Sequence, residues 1–349
     1  MFESLGFETL TAPQAAIWLG LILGLAFGVL AERTRFCFRR ALVGEDRRQA
    51  GGVWAMALAF ALIGTQAAVL SGLITFSDHR FMAGDLPILS ILVGGALFGA
   101  GMILARGCAS RLTVLGATGN LRALTVMAIF AVVAHATLKG VLAPVRTTLA
   151  SVTLPLGDAT SLSALPGGAL LWTSVIALGA LAIALTSGNR AVTLGLAALL
   201  GLLVPAAWVG TGYVLYDDFD AIPLDGLSFT APWADALFFS IASSAIPANF
   251  GVGLIGGTLV GALVTSLVGK TFRWQSFTSP RETGRYAAGA VLMGLGGVVA
   301  GGCTIGAGLA GIPTLSVAAI LTLVAIAAGA LATQAVLGRS PAGTAVPAE

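Results

Sequence analysis

The feature that most restricts this chain is a succession of apolar stretches, each about 17 to 25 residues long and nearly free of charge. They fall near 15 to 31, 51 to 76, 86 to 105, 121 to 143, 166 to 187, 191 to 210, 251 to 269, 285 to 301 and 314 to 337. Only 9% of the 349 residues are charged and 57% are apolar, too little polar material to cover a water-soluble surface. The pattern predicts an all-α integral membrane protein of about nine transmembrane helices, a single transmembrane domain over residues 1–349.

Glycine supports this reading. It supplies 47 residues, well above the usual share of about 7%, and the excess lies inside the apolar runs. In lipid, small residues let helix backbones approach closely. Gly20, Gly24 and Gly28, and likewise Gly253, Gly257 and Gly261, recur every fourth residue and are expected to be helix contacts rather than ligand positions. The Gly-x-Gly pairs at Gly99 and Gly101 or Gly294 and Gly296 lack a β-α-β setting and are not nucleotide fingerprints.

Charge sets the orientation. Lys139 and Lys270 are the lysines among eighteen basic residues, and the arginines gather in short loops: Arg33 to Arg48, Arg106 to Arg122, and Lys270 to Arg285. Threading nine spans puts all of these on one side, which is expected to be cytoplasmic. Glu3, Glu8 and the acidic stretch from Asp217 to Asp235 fall opposite, giving an outside N-terminus and a cytoplasmic C-terminus. The first residues carry no basic segment of the cleaved-signal kind, so the first helix is expected to be retained. The arginines report topology and do not form a nucleic-acid face.

Three segments are too short or polar to cross alone, at 34 to 44, 107 to 118 and 302 to 312, with a fourth around 234 to 247. They are expected to be short re-entrant helices. GGALFGAGMILARGC, Gly94 to Cys108, aligns without gaps on GAVLMGLGGVVAGGC, Gly289 to Cys303. Gly107 and Gly302 match, each directly before a cysteine. The threading runs these two spans in opposite directions, as in an inverted internal repeat. The expected division is a first half at about 15–143, linking helices at about 166–210 and a second half at about 232–337. A weaker likeness joins GLILGLAFGVL from Gly20 to GLIGGTLVGAL from Gly253.

Cys37, Cys108 and Cys303 are odd in number and far apart, which argues for free thiols rather than disulfides or metal knuckles. A membrane cysteine taken alone is usually a packing residue. Three at polar breaks, two of them at matched repeat positions, point instead to a pathway. A short helix beginning at such a break would aim free N–H groups at an anion. Thr304 beside Cys303, and Arg39, Arg106 and Arg111 at the breaks, complete the expected substrate-binding set with Gly107 and Gly302. His135 and Lys139, four residues apart, form a secondary intramembrane candidate. No metalloprotease, P-loop or hydrolase pattern occurs, so the chain is not read as an enzyme and no cofactor is expected.

At FGAGMILARGCASR, GATGNLRAL, NFGVGLIGGTLVGALVTSLVGKTFRW and LMGLGGVVAGGCTIGAGLAG the chain resembles the YeeE/YedE family of sulfur-transport membrane proteins. The resemblance implies an hourglass-like fold, residence in the bacterial inner membrane, and thiosulfate or a related sulfur oxyanion as cargo. It implies successive weak S–H contacts from cysteines at the positions of Cys37, Cys108 and Cys303, with a cytoplasmic TusA-like sulfurtransferase as a partner. Arg106 and Ala109 to Arg111 depart from the family's more usual GGCGSG-like run. Two alternatives stay open: a selenium or other sulfur compound as cargo, and a membrane sulfurtransferase working through a cysteine persulfide.

Overall fold

A computed structural model describes residues 10–339 apart from 158, 218 and 219. Glu3, Glu8 and Asp218 lie outside the described residues. The chain forms α1 (Ala12–Thr34), α2 (Phe38–Val43), α3 (Arg47–Leu70), α4 (Ile88–Leu104), α5 (Ala109–Ala117), α6 (Leu121–Lys139), α7 (Ala143–Ala150), α8 (Gly168–Leu185), α9 (Ala191–Val209), α10 (Thr230–Ala242), α11 (Phe250–Val268), α12 (Pro280–Val299) and α13 (Val317–Arg339). The extended structure is a two-residue antiparallel pairing of Asp85–Leu86 with Leu154–Pro155.

Among the described residues, eight helices are long and apolar enough to cross a membrane. A ninth span appears when α12 and the segment Thr304–Thr314, bent by 41°, are taken together. The short segments expected at the breaks are present. α2 and α5 run on from α1 and α4 within apolar rods of 32 and 30 residues, whereas the third departs as a wide π-helical turn, Thr304–Gly311. α10 occupies the fourth.

Glycine decides which helices touch. α1 and α11 pack along their whole length, with Gly20 against Phe250, Gly24 against Leu254 and Gly28 against Thr258 and Ala262, so the two run parallel. A Cβ added at Gly257 would stand 2.1 Å from the Leu21 carbonyl oxygen, an overlap no rotamer relieves. α4 and α12 run antiparallel instead, with Gly94 against Ala300 and Gly101 against Gly289 and Met293. The stronger sequence likeness therefore joins oppositely directed helices, as inversion requires. The weaker one joins parallel helices and reflects shared packing.

Several buried or part-buried polar side chains tie distant elements together. Ser90 Oγ donates to the Val299 carbonyl at 2.6 Å, tying α4 to the end of α12, and Trp233 Nε1 donates to Thr113 Oγ1 at 2.6 Å, tying α10 to α5. Asn120 and Arg122 both donate to Gln275 Oε1, fastening the loop after α11 to the start of α6. Each bond spares a buried donor a desolvation cost of about 1 to 3 kcal/mol.

Candidate functional site: three thiols at three helix breaks

The three cysteines occupy the same local structure. α1 ends at Arg35, whose φ is 51°, and Phe36 N–H returns to the Ala31 carbonyl before Cys37 opens α2. α4 ends at Arg106, φ 57°, and Gly107 N–H returns to the Met102 carbonyl before Cys108 opens α5. α12 ends at Gly301, φ 77°, and Cys303 opens the wide turn. Each time a left-handed residue stands two positions before the thiol, closing one helix so that the cysteine becomes the cap of the next. The Cys303 sulfur accepts the Gly306 N–H at 3.5 Å.

All three thiols are buried and none is in a disulfide. They also meet. The Cys37 and Cys108 thiols are side-chain neighbours, and Cys108 is flanked by Thr304 and by Ser110, whose Oγ lies 3.4 Å from its sulfur. Thr304 Oγ1 is buried with no partner of good geometry, and the Cys108 thiol is among its neighbours. Trp54 Nε1, in a ring that packs against Phe38 and Gly308, is a second buried donor without an acceptor. Spare donors at a closed constriction suit a solute that brings its own acceptors. Gly107 lies against Leu112 and Gly302 against the Ala307 backbone, so larger residues would crowd the caps.

The expected arginines divide into two groups. Arg111 pairs with Glu32 at 3.2 Å, Arg122 with Glu282 at 3.1 Å, and Arg40 with Asp46. Arg39 instead lies among Cys37, Arg106, Arg285 and Tyr286 and is in no carboxylate pair among the described residues. The Nε atoms of Arg39 and Arg285 are buried without acceptors. Sequence had counted Arg285 only as a topology signal; its position beside Arg39 depends on how α12 packs. His135 stacks on Phe238, with ring centres 3.8 Å apart, and Lys139 ends α6 exposed. Neither reaches the thiols.

At the opposite, acidic end a cavity of about 880 Å³ reaches the wide turn, with Gly306 and Ala310 in its lining. Asp78, His79, Arg80, Asp225 and Asp235 line it. His79 packs among Phe76, Phe81 and Trp208, and its Nδ1 accepts the Phe81 N–H at 3.3 Å. Burial, with the Arg80 charge adding, pushes it down to about 4. Arg80 is open to the cavity, and its largest electrostatic partner is Asp225. Burial raises Asp225 to about 6, against the pull of Arg80.

The sulphur transport family matches residues 33–195 and 186–332, which span all three breaks. The chain belongs to that family. It is 28% identical over 320 residues to the thiosulfate transporter TsuA of Escherichia coli strain K12, covering 83% of this chain and 86% of the relative. It is 27% identical over 332 residues to the thiosulfate transporter TsuA of Spirochaeta thermophila, covering 87% and 94%.

Proposed function

We propose that this protein is a permease carrying thiosulfate inward across a bacterial inner membrane, from the acidic-end cavity past Cys303, Cys108 and Cys37 to the arginines of the basic, cytoplasmic end. The observation that carries this is the continuity of polar groups through the constriction: Gly306 and Cys303, then Thr304 and Cys108, then Cys37 and Arg39.

Thiosulfate has a charged oxygen end and a soft terminal sulfur. Thiols are weak donors, so they can recognise the sulfur without retaining it. Passage favours weak sites in series over one strong site. Arg39 and Arg106, with Arg285, supply cations where the dianion leaves. Inward movement of two negative charges against an inside-negative potential costs about 4.6 kcal/mol at 100 mV. Consumption by a cytoplasmic TusA-like sulfurtransferase docked at the basic end would draw the flux inward. No group along this route needs to form a covalent bond, and the protein acts as a carrier rather than an enzyme.

The test is uptake of labelled thiosulfate by proteoliposomes holding the full chain. Cys108→Ala and Cys303→Ala are each expected to reduce uptake to background while the protein stays folded and inserted. Normal uptake by either variant defeats the relay. A stoichiometric cysteine persulfide after exposure to thiosulfate would instead favour sulfur transfer, and stronger competition by a selenium oxyanion would reassign the cargo.

A further inference from the structure

The acidic-end cavity presents a difficulty for an anion. Three carboxylates, Asp78, Asp225 and Asp235, line it, and Arg80 is the only permanent cation among its described lining residues. With all three ionised the carboxylates outweigh Arg80 and a dianion meets net repulsion there, which eases when one carboxylate is neutral. Asp235 accepts from Asn249 at 3.0 Å, and Asp78 lies exposed at the rim beside Ser77. Asp225 is half-buried, and its backbone is pinned to the end of α9, its N–H donating to Thr211 Oγ1 at 3.1 Å. Its carboxylate and the Arg80 guanidinium act on each other across the cavity without a contact ion pair.

Arg80 is held in place. Its short 3-10 turn is capped by His79, and its guanidinium lies over the Phe81 ring at 5.1 Å from the ring centre. The Arg80 charge also reaches Cys303, so the cation stands at the approach to the first thiol. Sequence offered no sign of this group, because Arg80 and Asp225 come from loops far apart in the chain.

We propose that this cavity is the outer binding site of the carrier, that Arg80 takes the oxyanion end of the solute, and that ionised Asp225 competes with the solute for that guanidinium. The proposal rests on the reading of the protein as a thiosulfate permease. The charged and titratable groups that line the cavity with Asp225 are Asp78, His79 and Arg80 from the loop between α3 and α4, Tyr216 from the loop after α9, and Asp235 from α10. Arg80 stays charged, and His79, held down to about 4, stays neutral near neutrality. Asp225, raised to about 6, loses its charge as pH falls through that value, whereas thiosulfate stays a dianion. Protonation therefore frees Arg80 for the solute, and acid favours loading.

The experiment measures initial rates of thiosulfate uptake against concentration in proteoliposomes of the full chain, with external pH varied from about 5 to about 8. The wild-type KM is expected to rise as pH passes upward through about 6. Asp225→Asn should keep a low KM at every pH, a gain that misfolding cannot produce. Arg80→Gln should raise KM about tenfold or more at every pH, with Arg80→Lys intermediate, as for loss of a charged hydrogen bond. An unchanged KM in Arg80→Gln, or a wild-type pH profile in Asp225→Asn, overturns the proposal. Wild-type vesicles that take up no thiosulfate overturn the permease reading itself, so the two failures are distinct.

Discussion

The breaks at Cys108 and Cys303 share one backbone solution and fill it differently. Both helices close through a residue of positive φ two positions before the thiol; one is Arg106 and the other Gly301. Glycine takes this conformation freely, while a side chain there costs about 1 to 2 kcal/mol. The chain accepts that cost at Arg106 and Arg35, whose breaks lie on the basic side of the constriction, and avoids it at Gly301, whose break faces the acidic-end cavity. The asymmetry builds an arginine into the helix closure at the basic end only; at the acidic end the nearest cation, Arg80, comes from a separate loop. The shared positive-φ closure thus stands in opposite electrostatic surroundings at the two breaks.

The strongest way to break this comparison is at the glycine. Gly301→Val puts a β-branched residue at φ 77° and is expected to destabilise the protein by about 3 kcal/mol and to abolish uptake, read by thermal melting in detergent and by flux. Retention of both would show that the Cys303 cap tolerates a different closure. Arg106→Gly makes the two breaks alike. Relief of strain should stabilise by about 1 kcal/mol, while loss of the cation raises the concentration of thiosulfate needed for half-maximal uptake several-fold. A variant that is more stable and equally active would strip Arg106 of its role. The smallest effect on uptake is expected at Arg111, whose charge is already shared with Glu32. Arg111→Gln should change uptake less than about twofold and lower stability by about 1 to 3 kcal/mol, because Glu32 is left largely buried without its partner. A loss as large as that of Arg106→Gly would mean the Glu32 pair opens during transport.

Much of this was legible in the sequence, for physical reasons that can be named. Apolar length shows spans because lipid admits no unsatisfied backbone, and the ungapped alignment ending at Cys108 and Cys303 located two caps before any fold was known. The Arg35 to Cys37 break was visible from charge interrupting an apolar run. Directions of packing were less accessible. Glycine every fourth residue says that helices touch, but not that α1 and α11 do so in parallel while α4 and α12 do so antiparallel. Which arginines are ion-paired was also hidden. Arg111 and Arg106 look alike in a list of charges, and only the approach of Glu32 separates them. The acidic-end cavity was missed for the same reason, since an arginine in one loop and an aspartate in another acquire meaning only when α9 and the α3–α4 loop bring them to one space.

The glycine contacts also bear on how such a protein can move. Between α1 and α11 the next atom beyond each glycine Cα is the carbonyl oxygen of the facing helix, at Phe250, Leu254 and Thr258 in turn. With no side chain in the seam, there is no rotamer to absorb a slip, and sliding one helix by a fraction of a turn drives main-chain atoms into overlap. α4 is held in the same manner between α12 and α13, with Gly94 against Ala300 and Gly99 against the Ile326 carbonyl oxygen. The scaffold is therefore a stiff chassis, and the adjustable parts are those it leaves unjoined: thiols, the Thr304 hydroxyl and the rings around them. Motion in such a frame is expected in side chains rather than in sliding of α1 on α11 or of α4 on α12 and α13.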